Sequence, residues 1–339
     1  MDGMIVVFII IIAVVYFCFM PKECDICGAS LLSKRRKVFK VEYEGEKLNL
    51  CSNCNRALEK KISKECFDVF VNDAINLKNI DSAFSRQSTG VSVTNFVKRI
   101  QQPRGGFIKV KDMIKEDFTD SRTLLENENV SPIITGLAVD YLTRVIMFKD
   151  REAAFSVGLK GAALAGEHDN ACHLLSCING LDTLSVISAC KLSGYDVVYR
   201  KGRGYFKGVD AIEPDNGTIQ NIIAMVERAV LFFQGTGVID AEITFEGGYS
   251  NVISSGDGDY LSKDTIWDMK VTKNEPNKDH TLQLLVYTML LTNSHKYRNF
   301  TIKKIGVFNP RKNKSYTYDL HNLDKDTHEA IYNLIYTNQ

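Results

Sequence analysis

The stretch TIWDMKVT, residues 265–272, decides how the C-terminal half of this chain is read. It reads as a β-strand, along which successive side chains alternate faces. Asp268 and Lys270 therefore share one face, while Trp267, Met269 and Val271 take the other. A carboxylate and an ammonium project together from an otherwise apolar segment.

Working upstream, AEITFEGGY (241–249) and NVISSGDGDYL (251–261) read as two more strands, and residues 219–234 as a helix before them. Downstream come a helix, DHTLQLLVYTMLLT (279–292), and another strand, KIGVF (304–308). The order is αβββαβ, an α/β core. Asp259 ends the middle strand beside Gly256 and Gly258, where a hairpin brings its carboxylate next to Asp268. Two such carboxylates form a hard-oxygen site suited to Mg²⁺ or Mn²⁺, with positions left open for water and a phosphate oxygen. Lys270 is placed to orient or deprotonate an attacking water, or to offset charge on the phosphate. On the following helix Gln283 and Tyr287 stand four apart and face one side, with Leu282, Leu285, Val286 and Leu290 as the buried stripe.

Gly256 to Asp259 (G-x-x-D), Asp268 to Lys270 (D-x-K) and Gln283 to Tyr287 (Q-x-x-x-Y) together resemble the signature of the PD-(D/E)XK nuclease superfamily, in particular its RecB-like exonuclease-type domains. The resemblance runs from Glu227 to about Leu320 and includes the strand, turn and strand of GVFNPRKNKSYTYDL (306–320). It implies a restriction-endonuclease-like core over about residues 217–320, with an added helical region. It also implies metal-dependent hydrolysis of phosphodiester bonds, of DNA in the first instance. The catalytic set is then Asp259, Asp268, Lys270, Gln283 and Tyr287. Glu227 in MVERAVLFF is the first-helix metal ligand, with Glu246 and Glu242 as rivals. The alternative is a membrane-tethered nucleic-acid-binding or scaffold protein on an inactive nuclease fold. No cysteine follows Cys190, so the iron-sulfur cluster of some relatives is not expected, and without a GxxxxGK[ST] loop a helicase would be a separate chain, as would any defence partner.

The 339 residues, 45% hydrophobic and 24% charged, fit one sizeable domain with smaller appendages. With 42 basic and 41 acidic residues the net charge is +1, so nucleic-acid contact needs a local patch. Lys263, Lys273, Lys278, Lys303, Lys304, Arg311, Lys312 and Lys314 flank the site in sequence and are the candidates. At the N-terminus, MIVVFIIIIAVVYFCFM (4–20) is uncharged and nearly long enough to cross a hydrocarbon core. Residues 1–21 read as a single-pass transmembrane anchor. Lys22 and the run Lys34, Arg35, Arg36, Lys37 place its N-terminus outside and the rest of the chain in the cytoplasm.

Cys24 and Cys27, then Cys51 and Cys54, have zinc-ribbon spacing, and KVFKVEYEGEKLNL (37–50) reads as a hairpin that returns one pair to the other. Four thiolates leave no open position, so this Zn²⁺ is structural. The ribbon and an amphipathic helix at 56–78 fill residues 22–80. Polar residues 81–104 read as a linker, and 105–339 as the nuclease domain. Residues 132–192 read as helical. In GEHDNACH (166–173), His168 and His173 are five apart and diverge on a helix, which argues against a metal site; Cys172, Cys177 and Cys190 read as small buried hydrophobes.

Overall fold

The computed structural model describes residues 39–43, 46–50 and 90–336. The expected anchor at 4–20, the zinc ligands Cys24, Cys27, Cys51 and Cys54, and the helix at 56–78 lie outside the described residues. Among those described, no helix is long and apolar enough to cross a membrane.

The described residues begin with β1 (Phe39–Tyr43) and β2 (Glu46–Leu50), and from residue 90 continue with β3 (Val91–Ser92), α1 (Val93–Arg99) and β4 (Ile114–Asp117). A run of helices follows: α2 (Pro132–Phe148), α3 (Arg151–Ala154), α4 (Ser156–Ala165), α5 (His168–Ser176), α6 (Thr183–Ser193), α7 (Asp196–Lys201) and α8 (Asn216–Gly235). Then come β5 (Val238–Thr244), β6 (Ile253–Ser255), β7 (Asp257–Ser262) and β8 (Thr265–Met269). The chain closes with α9 (Lys278–Asn293), β9 (Lys304–Asn309), β10 (Lys314–Asp319) and α10 (Lys325–Tyr336).

These elements form two compact units. The smaller one holds the described residues of 1–83 together with 155–176 and 194–209. In it the expected hairpin is present, β1 and β2 pairing antiparallel from Phe39↔Leu50 to Tyr43↔Glu46. Helix α4 packs on α5 and α7. The Tyr195 hydroxyl donates to Glu167 and accepts from Asn170, so Glu167 serves a packing network. Cys190, in the other unit, is fully buried as expected, but Cys172 and Cys177 are only partly so.

The larger unit is a mixed α/β fold around a mixed six-stranded sheet, in the order β4-β10-β9-β8-β7-β5. β8 and β9 run parallel; the other neighbours are antiparallel. A parallel pair needs a crossover, and α9 supplies it. The elements α8, β5, β7, β8, α9 and β9 reproduce the αβββαβ order, with the run 251–261 divided at Gly256 into β6 and β7. One face of the sheet meets α8: Phe232 stacks on Phe308 at 3.9 Å, and Phe233 on Tyr260 at 4.0 Å. The other face carries Leu261, Ile266, Ile305 and Val307 against Leu282, Leu285 and Val286 of α9.

Residues 91–99, within the expected linker, belong to this core. Ser92 caps α1 by accepting from the Asn95 amide, and Val93, Phe96 and Val97 are buried. Three apolar residues at helical spacing suffice for a short helix that others cover. β3 pairs in parallel with β6, and a Cβ on Gly256 would lie 2.6 Å from Val93 Cγ2, so a side chain at 256 is incompatible with α1 in place.

Candidate active site

β8 is flanked by β7 and β9, and all five of its residues are buried, so Asp268 enters the interior because its strand does. The pairs Tyr260↔Trp267 and Leu261↔Ile266, continued one step, set Asp259 opposite Asp268. Asp259 Oδ2 accepts from the Met269 amide at 2.7 Å, which ties the two strand ends together. Lys270 Nζ donates to Asp268 Oδ1 at 2.8 Å, whereas Asp268 Oδ2 is buried without a hydrogen-bond partner among the described residues. Asp259, Asp268 and Lys270 thus converge.

The site carries an excess of negative charge. Burial, and then the facing Asp268, push the Asp259 pKa well above the usual carboxylate range. Burial alone would lower the Lys270 pKa; Asp268 and Asp259 outweigh it, and the net shift is upward. Gln283 Nε2 donates to the Tyr287 hydroxyl at 2.8 Å, so the expected Gln and Tyr do share one helix face. Burial, with Asp259 and Asp268 nearby, raises the Tyr287 pKa and keeps its proton on. Its ring stacks on Phe245 at 5.1 Å.

Glu227 does not join this group. It is half exposed on α8 and pairs with Arg122, at a cavity of about 580 Å³ that Asp120 and Arg228 also line. Helical periodicity identified α8, but the aromatic pair Phe232 and Phe233 fixes its rotation on the sheet and turns Glu227 aside. Of the rivals, Glu242 is committed to Arg144 at 2.8 Å, and Glu246 is exposed. The helical carboxylate whose charge bears on Asp259 and Lys270 is Asp140 of α2. It accepts from the Tyr260 hydroxyl at 2.8 Å and from Arg144 at 2.6 Å. Sequence reading missed it; the available signal was a lone acid in the apolar run ITGLAVDYLTRVIMF. His280 was missed as well: it stands in the first turn of α9, with Lys270 and Asp268 among its charged neighbours.

The candidate basic residues divide. Lys304 pairs with Thr265, three residues before Asp268, or roughly 10 Å along the strand. The Lys303 and Lys304 amides bond Asp264, so Lys263, Lys303 and Lys304 gather at the end of the sheet away from Asp268. Arg311, Lys312 and Lys314 are paired with Glu128, Glu275 and Asp117. Lys273 donates to the Glu126 carbonyl, and Lys278 is exposed at the start of α9.

Among the described residues no group of three or more His, Cys, Asp or Glu side chains is placed to hold a metal ion. Mg²⁺ needs less, since one or two carboxylates with water and substrate oxygens suffice. The unsatisfied Asp268 Oδ2 facing a second carboxylate fits such an ion. Comparison with protein-family models, with curated proteins and with solved structures finds no match to this chain.

Proposed function

We propose that this chain is a divalent-metal-dependent phosphodiesterase of the PD-(D/E)XK type that cleaves nucleic acid, DNA being the first substrate to test. The observation that carries the reading is the Asp259–Asp268 pair with one carboxylate oxygen unsatisfied and Lys270 bonded to the other. The αβββαβ order and the Gln283–Tyr287 contact support it.

In this reading Asp259 and Asp268 hold Mg²⁺ or Mn²⁺, while Asp140, bonded to Tyr260 and Arg144, bears on them through its charge. The bound ion supplies Lewis-acid activation of the attacking water and neutralises charge on the phosphate. An ammonium has three N–H bonds, and Lys270 uses one on Asp268, which leaves two to orient the attacking water or stabilise the phosphate oxygens. Tyr287, accepting from Gln283, keeps its own proton to donate. At this end of the sheet Arg311, Lys312 and Lys314 are paired with acids, and Lys273 and Lys278 are the candidates for holding a strand. Anchorage through residues 4–20 and Zn²⁺ held by Cys24, Cys27, Cys51 and Cys54 complete the proposal.

The test uses the full chain, with single- and double-stranded DNA and RNA, in Mg²⁺, Mn²⁺ or chelator. Cleavage should require metal, and Asp268→Ala or Lys270→Ala should lower the rate at least about 10³-fold, as loss of several kcal/mol of transition-state stabilisation demands. Either variant cutting at the parent rate would show the site to be wrong. Metal-dependent binding without cleavage would favour the inactive scaffold.

A further inference from the structure

We propose that His280 touches the substrate, donating a hydrogen bond from Nε2 to a phosphate oxygen of the bound strand; this rests on the phosphodiesterase reading. Positions 280, 283 and 287 stand at i, i+3 and i+7 on α9 and so form one stripe. Gln283 and Tyr287 of that stripe bond each other, and Tyr287 borders Gly256 just ahead of the strand that carries Asp259. At its N-terminal end, His280 has Lys270 and Asp268 as charged neighbours.

The helix cap fixes the proton on the ring. Asn277 is the N-cap of α9, its side chain accepting from the His280 amide, and the Asn277 amide donates back to His280 Nδ1 at 3.2 Å. An imidazolium has no acceptor, so this bond requires a neutral ring whose proton is on Nε2. Burial, and then the Lys270 charge, lower the imidazole pKa in the same sense. Nε2 makes no hydrogen bond among the described residues. The cap thus consumes one ring nitrogen and leaves the other as a donor of fixed direction, while Lys278 in the same turn is exposed to a strand.

A purely structural role would end at the cap, and two variants of the full chain separate the possibilities. His280→Ala removes cap partner and donor together, whereas Asn277→Ala removes the capping side chain and leaves the imidazole. Both should lower the melting temperature modestly. Assayed on a labelled oligodeoxynucleotide in Mg²⁺ below both melting temperatures, His280→Ala should raise KM about tenfold with kcat within about threefold, as loss of a neutral donor to a charged oxygen implies. It should also weaken binding of the same oligonucleotide in Ca²⁺ to a similar degree, and Asn277→Ala should do neither. An unchanged KM in His280→Ala, or an equal rise in Asn277→Ala, would overturn the inference while leaving the nuclease reading intact. A wild-type chain that neither binds nor cuts would overturn both.

Discussion

Two groups of charged side chains lie on the larger unit, and they are built differently. Around α8, Asp120 and Glu227 meet Arg122 and Arg228, two acids against two bases. Arg228 donates to Asp120 at 2.7 Å and to the carbonyls of Pro310 and Arg122 at 3.1 and 2.8 Å. This group joins residues 120–122, α8 and the β9–β10 turn, and its charges are balanced. At the end of β7 and β8, Lys270 donates to Asp268 with Asp259 beside the pair, and among the described residues the buried Asp268 Oδ2 has no hydrogen-bond partner. A closed group stabilises a fold; an open one is costly to bury and calls for a water, an ion or strain to account for it.

Substitutions in either group separate the two roles. The largest effect is expected from Arg228→Ala, about 3 kcal/mol off unfolding stability by denaturant titration, because a buried ion pair loses one partner. Its pH dependence carries a sign. Hydrogen bonds from Arg122 and Arg228 hold the Asp120 carboxyl far below the usual carboxylate range. The stability it contributes is therefore complete above its unfolded value of 3.8 and drains as the pH falls through the depressed folded value. Arg228→Ala should flatten that acid limb, and an unchanged limb would show the group to be incidental.

The open group is tested by adding metal rather than removing a side chain. Mg²⁺ or Mn²⁺ at 100 times its dissociation constant should stabilise the chain by about 2.7 kcal/mol, seen as a higher melting temperature. Asp268→Asn should erase the response; if it persists undiminished, the ion binds elsewhere. The smallest effect belongs to Glu227→Gln. Half exposed and paired at the surface, Glu227 should give within about 1 kcal/mol of wild-type stability and an unaltered cleavage rate. A large loss of cleavage would restore Glu227 to the site.

What sequence reading recovered is what short-range geometry dictates. Alternation along β8 put Asp268 with Lys270, and helical spacing put Gln283 with Tyr287, each within a few residues. Asp140 was out of reach because its neighbours, Tyr260 and Asp259, are more than a hundred positions away and meet it only through packing. Glu227 was misassigned because the pattern of a helix gives its buried stripe but not which flank borders a distant strand. The helix at 93–99 was hidden by polar neighbours, its three buried residues being too few to stand out.

That helix sets a practical limit on how the protein can be shortened. β3 and α1 are stitched to β6, just ahead of the strand that carries Asp259: Val91 donates to the Val252 carbonyl at 2.9 Å, and a Cβ on Gly90 would lie 2.9 Å from that of Ser254. A fragment begun near Gly105, where the polar stretch ends, would strip Val93 from Gly256 and uncover the apolar faces of β6 and α9 that α1 packs against. Such a piece would be sticky in purification, and silence in an assay would say nothing about the intact chain. Trimming should stop ahead of Gly90.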